Sequence, residues 1–526
     1  MATEPSAQRV YRAACPNCGA PVEFRSAASA FAVCSFCNST VVREGDALRK
    51  IGESAELFDD HSPLQLGAAG RYQGAAFTLV GRLQYRYAEG TWNEWHALFD
   101  GVGGSGKSGW LSEDNGRYVI AFEAPLEGAA PSAASLRPGA PVVIGGQAWS
   151  VASVSAATLM AAQGELPYPP NLARGFVVSD LRSTRGEVGT LDYSDAGATG
   201  APRWSVGRAV ALSELALTGL AEASEKTLKG RGVECPNCGA ALEVKLATTQ
   251  SIVCHQCHSV VDLLGKDGQG VGGDLQHYAQ ANGMAPLIPL GSVGTLALGG
   301  QQALAWQVVG YAERCELPAS GAADDGESTC WREYLLYHRS AGFAFIVDAQ
   351  DGWSWTAPLT GVPERAGEGV KHEGVVYRKL YDYTGIVTYV LGEFYWQVTQ
   401  NQRTFNTDYQ GTGAAAAKRL NREQTGSGRD GPTQQEVVWS GGETLSADTV
   451  RKAFRLAPDR SATLQRDALP TSLGGASLLA KIFFWAFVAI VVLMLFRCGS
   501  GGSSAGYGYG SSGGAFGGFS SGGGHK

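Results

Sequence analysis

Eleven cysteines occur in the 526-residue chain, and eight of them fall in two clusters of matching spacing. Cys15, Cys18, Cys34 and Cys37 read C-x2-C-x15-C-x2-C, and Cys235, Cys238, Cys254 and Cys257 repeat that pattern 220 residues later. Both clusters open with Cys-Pro-Asn-Cys-Gly-Ala. A C-x2-C forms a tight knuckle that turns two thiolates toward one ion, and the intervening stretch is long enough for a hairpin that returns the second pair. The chemistry is four-thiolate metal binding, and the expected cofactor is Zn2+ at two structural sites. Gly19 and Gly239 follow a knuckle, where a turn calls for positive φ. His255 and His258 flank Cys257, but four thiolates already complete the set, so they read as surface histidines. Disulfides within the clusters are not expected, because residues 1–14 lack the apolar run of a secretory signal.

A zinc ribbon names no function by itself, since the ion mainly replaces a core that so short a segment cannot build. Charge narrows the choice. In the first cluster Arg12, Arg25 and Arg43 are offset by Glu23, Glu44 and Asp46; in the second Lys229, Arg231 and Lys245 are offset by Glu234, Glu243 and Asp262. The whole chain carries 42 basic against 49 acidic side chains, a formal net charge of -7. Neither ribbon presents the basic stripe that phosphate neutralisation requires, which favours a protein partner over nucleic acid.

A second motif invites a different chemistry. Residues 101–108 match the phosphate-cradling pattern G-x4-G-K-S, ending in Gly106, Lys107 and Ser108. That mechanism needs a helix immediately after the lysine, with its N-terminal amides facing the phosphates. Here Gly109-Trp110-Leu111 leads at once to the turn signal Asp114-Asn115-Gly116, leaving no room for a helix. The segment reads as a strand connection, and nucleotide is not an expected partner.

The elements around these motifs read as β. Thr78-Leu79-Val80-Gly81 recurs as Gln307-Val308-Val309-Gly310, and Trp92-Asn93-Glu94-Trp95 recurs as Trp331-Arg332-Glu333-Tyr334. Period-two alternation, aromatic and β-branched residues and Gly-rich breaks indicate short antiparallel strands in a small half-open barrel or sandwich. Helical signal is confined to residues 213–220 and 447–456, and 411–432 reads as a low-complexity loop with a short helical piece at 414–420. Glu94, His96, Asp192, Glu393 and His372 stand among aromatics, yet no spacing fixes a triad, a carboxylate dyad or an open metal site. No catalytic residue is assigned, and a non-enzymatic role is expected. Cys315 and Cys330 bracket a polar loop between two strand-like runs. They read as reduced thiols without special role, the alternative being a cross-strand redox pair.

Residues 482–496 are fifteen uncharged, apolar residues between Lys481 and Arg497. Extended to residue 478, with Lys481 snorkelling to the interface, the run reads as a transmembrane helix. Beyond it, residues 499–526 contain 13 Gly and 7 Ser and read as a flexible tail.

The strings Trp92-Asn93-Glu94-Trp95, Gly109-Trp110-Leu111, Gly164-Glu165-Leu166-Pro167, Thr190-Leu191-Asp192-Tyr193, Gly392-Glu393-Phe394-Tyr395-Trp396 and Glu436-Val437-Val438-Trp439-Ser440, taken with the ribbons, resemble the bacterial family catalogued as domain of unknown function 4178. The resemblance covers about residues 60–460 in two copies. It implies a bacterial, often membrane-tethered protein, with members encoded near polyamine aminopropyltransferase-like and membrane-stress proteins, and it supplies no catalytic residues. The expected fold is mainly β: zinc ribbons at 10–45 and 230–265, each followed by a barrel- or sandwich-like unit at 60–222 and 285–460. A transmembrane helix at 478–497 and a Gly/Ser tail at 498–526 complete it. The expected role is a scaffold at the bacterial inner membrane, single-pass with its bulk in the cytoplasm, docking a protein partner. The alternatives are nucleic-acid binding through the ribbons, or a small-ligand sensor or enzyme in the β units.

Overall fold

The computed structural model describes residues 11–24, 31–44, 47–53, 62–87, 90–100, 106–114, 117–170, 175–194, 201–221, 232–245, 249–263, 275–281, 283–299, 302–317, 329–338, 341–425, 436–457 and 464. The expected transmembrane helix and Gly/Ser tail lie outside the described residues. Among the described residues, no helix is long and apolar enough to cross a membrane.

Two β units repeat one topology. In the first, Ala75–Tyr87, Gly90–Phe99, Lys107–Asp114 and Arg117–Glu123 run as an antiparallel meander. Gln147–Leu166, Phe176–Arg182, Glu187–Asp192 and Arg203–Val210 form a second meander. The last strand of each meander pairs with the other, and so do the two first strands, which closes an eight-stranded barrel. In the second unit Leu304–Glu316, Cys330–His338, Gly342–Ala349 and Gly352–Pro358 make the first meander. Val375–Phe394, Arg403–Gly411, Lys418–Thr425 and Glu436–Leu445 make the second, with the same two closures. The half-open barrel or sandwich read from sequence is thus a closed barrel in both copies, because full closure pairs every edge. The stretch 411–432 is corrected as well: its 3-10 turn is only Gly413–Ala415, and Lys418–Thr425 is a barrel strand. A barrel strand with one polar-lined face is hard to recognise by hydrophobic alternation, and this one buries Asn421 and Glu423 inward.

The long strands Gln147–Leu166 and Val375–Phe394 hold each barrel together, with register shifts between Leu159 and Ala161 and between Lys379 and Tyr381 that bend them around it. At their ends two glycines cross. Gly164 has φ +71°, and a Cβ there would overlap the carbonyl oxygen of Val80, while one on Gly81 would overlap that of Glu165. Gly392, at φ +88°, and Gly310 make the same crossing in the second barrel. Any side chain at these points would force the strands apart.

Lys107 opens a strand and its ammonium lies 4.4 Å over the Phe122 ring. No helix follows it, as the residues after the G-x4-G-K-S pattern required. Cys315 and Cys330 face each other in register on adjacent strands and are joined by a disulfide. The reading of two thiols without special role gives way to the cross-strand pair, because strand pairing sets Cys315 directly opposite Cys330.

Candidate metal centres

Each knuckle is built by its own backbone. In the first ribbon the Cys15 amide donates to Ala20 O and the Gly19 amide to Cys15 O, at 2.8 and 2.9 Å, and Cys34 and Asn38 repeat the pattern at 2.9 Å. Cys235, Gly239, Cys254 and His258 do the same in the second. Gly19 and Gly239 have φ +76° and +74°, as the turn demanded. Asn38 and His258 take the left-handed position after the second knuckles, at +54° and +55°. His258 therefore closes a turn, and neither it nor His255 belongs to the sulfur set.

Within each cluster the four sulfurs lie within 4.8 Å of one another and could hold one ion. Cys15 and Cys37 Sγ are 3.7 Å apart, as are Cys18 and Cys34; the corresponding pairs of the second cluster are 3.6 Å apart. Crowding splits their proton affinities. Hydrogen bonds from the Ser39 hydroxyl and Asn17 lower Cys37 to about 5, and Ser259 and Asn237 lower Cys257 to about 5. The Ala20 amide favours the Cys18 thiolate, but hydrogen bonding with Cys37 and desolvation outweigh it and raise Cys18 to about 12. Cys238 rises to about 12 against the pull of the Ala240 amide. Four thiolates cannot share this space without a cation between them.

Both ribbons are built into their barrels. Phe31–Val33 pairs with Gly164, Glu165 and Leu166, the last residues of the long strand, beginning where that strand crosses Gly81. Val33 then enters the core cluster of Leu83, Tyr85, Trp92 and Leu159, with Cys34 next in the chain. In the second copy Ser251 and Ile252 pair with Phe394 and Glu393, and Val253 and Val260 pack with Leu335, Val390 and Trp396. Glu393 fastens this ribbon: its carboxylate accepts from the Lys245 amide at 3.0 Å and from the Thr249 hydroxyl at 2.7 Å. His96 sits beside the first crossing, buried, with Nδ1 2.9 Å from Glu165 O and Nε2 2.9 Å from the Ser108 hydroxyl. The carbonyl only accepts, so Nδ1 carries the proton and Nε2 accepts from Ser108. Burial lowers the His96 pKa, which suits this neutral tautomer.

Of the remaining polar candidates, His372 closes a hairpin opposite Val375. Glu94 and Asp192, 98 positions apart in sequence, both line one cavity inside the first barrel. No local spacing announces that meeting; only the carboxylates at the equivalent strand positions of the second barrel, Glu333 and Glu423, could have suggested it.

A family model described as domain of unknown function (DUF4178) matches residues 65–212 and 297–447, more than half of the chain. The chain belongs to this family. The two DUF4178 copies coincide with the two barrels, and each copy is preceded by one four-cysteine ribbon. No curated protein and no solved structure matches the chain. The DUF4178 strings Gly164-Glu165-Leu166 and Gly392-Glu393-Phe394 acquire a physical role: the glycine lets two barrel strands cross, and the next two residues carry the ribbon.

Proposed function

We propose that this chain is a non-enzymatic, zinc-dependent scaffold whose ribbons dock a protein partner. The sulfur separations support zinc: bonds of about 2.3 Å in a tetrahedron give an edge of about 3.8 Å. The observation that carries the docking role is the placement of the second knuckle of the first ribbon. One hairpin of the ribbon is part of the barrel sheet, while Phe36, between Cys34 and Cys37, is 72% exposed at its tip. An ion that fixes an exposed aromatic on a rigid base preorganises a contact surface. A bacterial inner-membrane location, with residues 478–497 as anchor and the bulk in the cytoplasm, belongs to the same reading.

The test is crosslinking with mass spectrometry on intact membranes, comparing the full chain with Cys15→Ser/Cys18→Ser, Cys235→Ser/Cys238→Ser and Phe36→Ser. A specific partner retained by the wild type and lost with a ribbon supports the scaffold role. Failure of any partner to depend on either ribbon removes it.

A further inference from the structure

The two barrels share a strand register but cover one outer face differently. Ala121 and Glu123 line the lumen of the first barrel, so Ile120 and Phe122, which alternate with them along one strand, face outward. There they pack with Phe77, Phe99 and Leu215. Strand pairing fixes the equivalents in the second barrel. Ile120 lies opposite Leu111 and Arg208, and Trp355 lies opposite Ile346 and Glu443, so Ile120 corresponds to Trp355 and Arg208 to Glu443. Along the same strands Phe122 corresponds to Ala357 and Lys107 to Gly342.

The hairpin beside this face differs in length. In the first copy Tyr72 and Ala75 pair across the short turn Gln73-Gly74, whereas in the second Leu296 and Leu304 pair across the longer connection 297–303. Leu298 of that connection is buried in the cluster of Trp306 and Ile346, and a Cβ on Gly299 would lie 3.1 Å from the Trp355 ring. The second barrel thus covers this face with its own chain. On the first barrel the face carries a groove of about 450 Å³, with Tyr72, Phe99 and Phe122 as its aromatic floor and the exposed Lys107 and Arg208 at its edge. Phe122 lies 5.2 Å from Phe99 and 6.3 Å from Tyr72, which makes the rings one patch. Two acids also line the groove, and both are engaged. Glu187 accepts from Gln147 at 2.7 Å and pairs with Arg185 at 3.0 Å, and Asp100 holds an interaction within the chain. Among the described residues, neither Lys107 nor Arg208 has a carboxylate partner. The Lys107 ammonium lies 4.4 Å over the Phe122 ring, a contact that leaves its N–H groups able to donate to an oxyanion.

We propose that this groove binds a small phosphate monoester with a planar aromatic body, its ring on the aromatic floor and its phosphate at Lys107 and Arg208. Two cations without carboxylate partners match a group that carries about two negative charges near neutral pH. The Arg208 fork fits phosphate oxygens and the Lys107 ammonium adds a point charge, while ring-on-ring contact orients the body of the ligand. Grooves of roughly 300–1,000 Å³ suit ligands of this size. The phosphate is held by side chains here and not by an amide cradle, since Lys107 opens a strand. In the second barrel Gly342 and Glu443 stand in place of Lys107 and Arg208, so both the cations and the uncovered face belong to the first copy alone. The proposal is independent of the metal-dependent docking above.

The experiment titrates the full chain with phenyl phosphate, followed by saturation-transfer NMR and calorimetry, with inorganic phosphate and neutral benzyl alcohol as controls. Saturable binding of phenyl phosphate is expected, at least about tenfold tighter than either control. Lys107→Gln and Arg208→Glu, the latter giving the first barrel the charge that the second carries, should each weaken it at least about tenfold while thermal melting stays that of the wild type. No saturable binding overturns the proposal. Equal binding of inorganic phosphate shows that the aromatic floor takes no part, and equal binding of benzyl alcohol that the cations take none; either overturns it as well. So does undiminished binding in either folded variant, and Lys107→Gln decides the matter if Arg208→Glu does not fold.

Discussion

Glu333 is a carboxylate buried in the lumen of the second barrel. It is buried beside Arg314, and desolvation raises it from 4.5 to about 7 even though the guanidinium pulls the other way. Between those values the folded chain keeps a proton that the unfolded chain has released. Its contribution to stability is therefore full below about pH 4.5 and is lost as pH rises through about 7. Relative to Glu333→Gln, the wild type should lose on the order of 3 kcal/mol across that window, read from urea midpoints at a series of pH values. Parallel pH profiles for the two proteins would mean that the carboxylate stays ionised beside Arg314. At this scale the sequence was legible where ligands cluster locally, as in the cysteine knuckles. It was silent where charges meet across a barrel, as Arg314 meets Glu423 109 positions away.

The element that matters most is the long strand, because it belongs to the barrel along most of its length and to the ribbon at its end. Gly164 and Gly392 permit the transfer, and Glu393 secures it. Removing that carboxylate leaves the Lys245 amide and the Thr249 hydroxyl without their acceptor. Hydrogen bonds to a charged group contribute about 1.5–3 kcal/mol, so Glu393→Ala should cost about 2–4 kcal/mol. Hydrogen exchange should rise at Ser251–Val253 before it rises elsewhere in the second barrel. A cost near zero would show that strand pairing alone seats the ribbon. The alternation in the sequence revealed such strands, but their pairing partners depend on closure, which joins strands far apart along the chain.

At the scale of the whole molecule, ribbon and barrel form continuous cores. Val33 precedes Cys34 and packs with Leu83 and Leu159 in the first barrel; Val253 precedes Cys254 and packs with Leu335 in the second. Burying such a side chain contributes about 1.5–3 kcal/mol, which is lost if the ribbon unfolds without its ion. Chelation should therefore lower the melting temperature of the barrels by roughly 5–10 °C. Cys15→Ser/Cys18→Ser should loosen the first barrel and Cys235→Ser/Cys238→Ser the second. Barrel exchange protection unchanged by chelation would make the ribbons independent appendages.

The sequence by itself determined the two four-cysteine clusters, the duplication, the β class and the family, because each is written in local spacing or in repeated strings. Tertiary structure alone decided that the barrels close, that the ribbons share their sheets, and that Glu94 and Asp192 face one lumen. The physical reason is the same in each case. Closure brings together residues whose separation in sequence carries no period, as it brings Arg314 to Glu333 and Glu423.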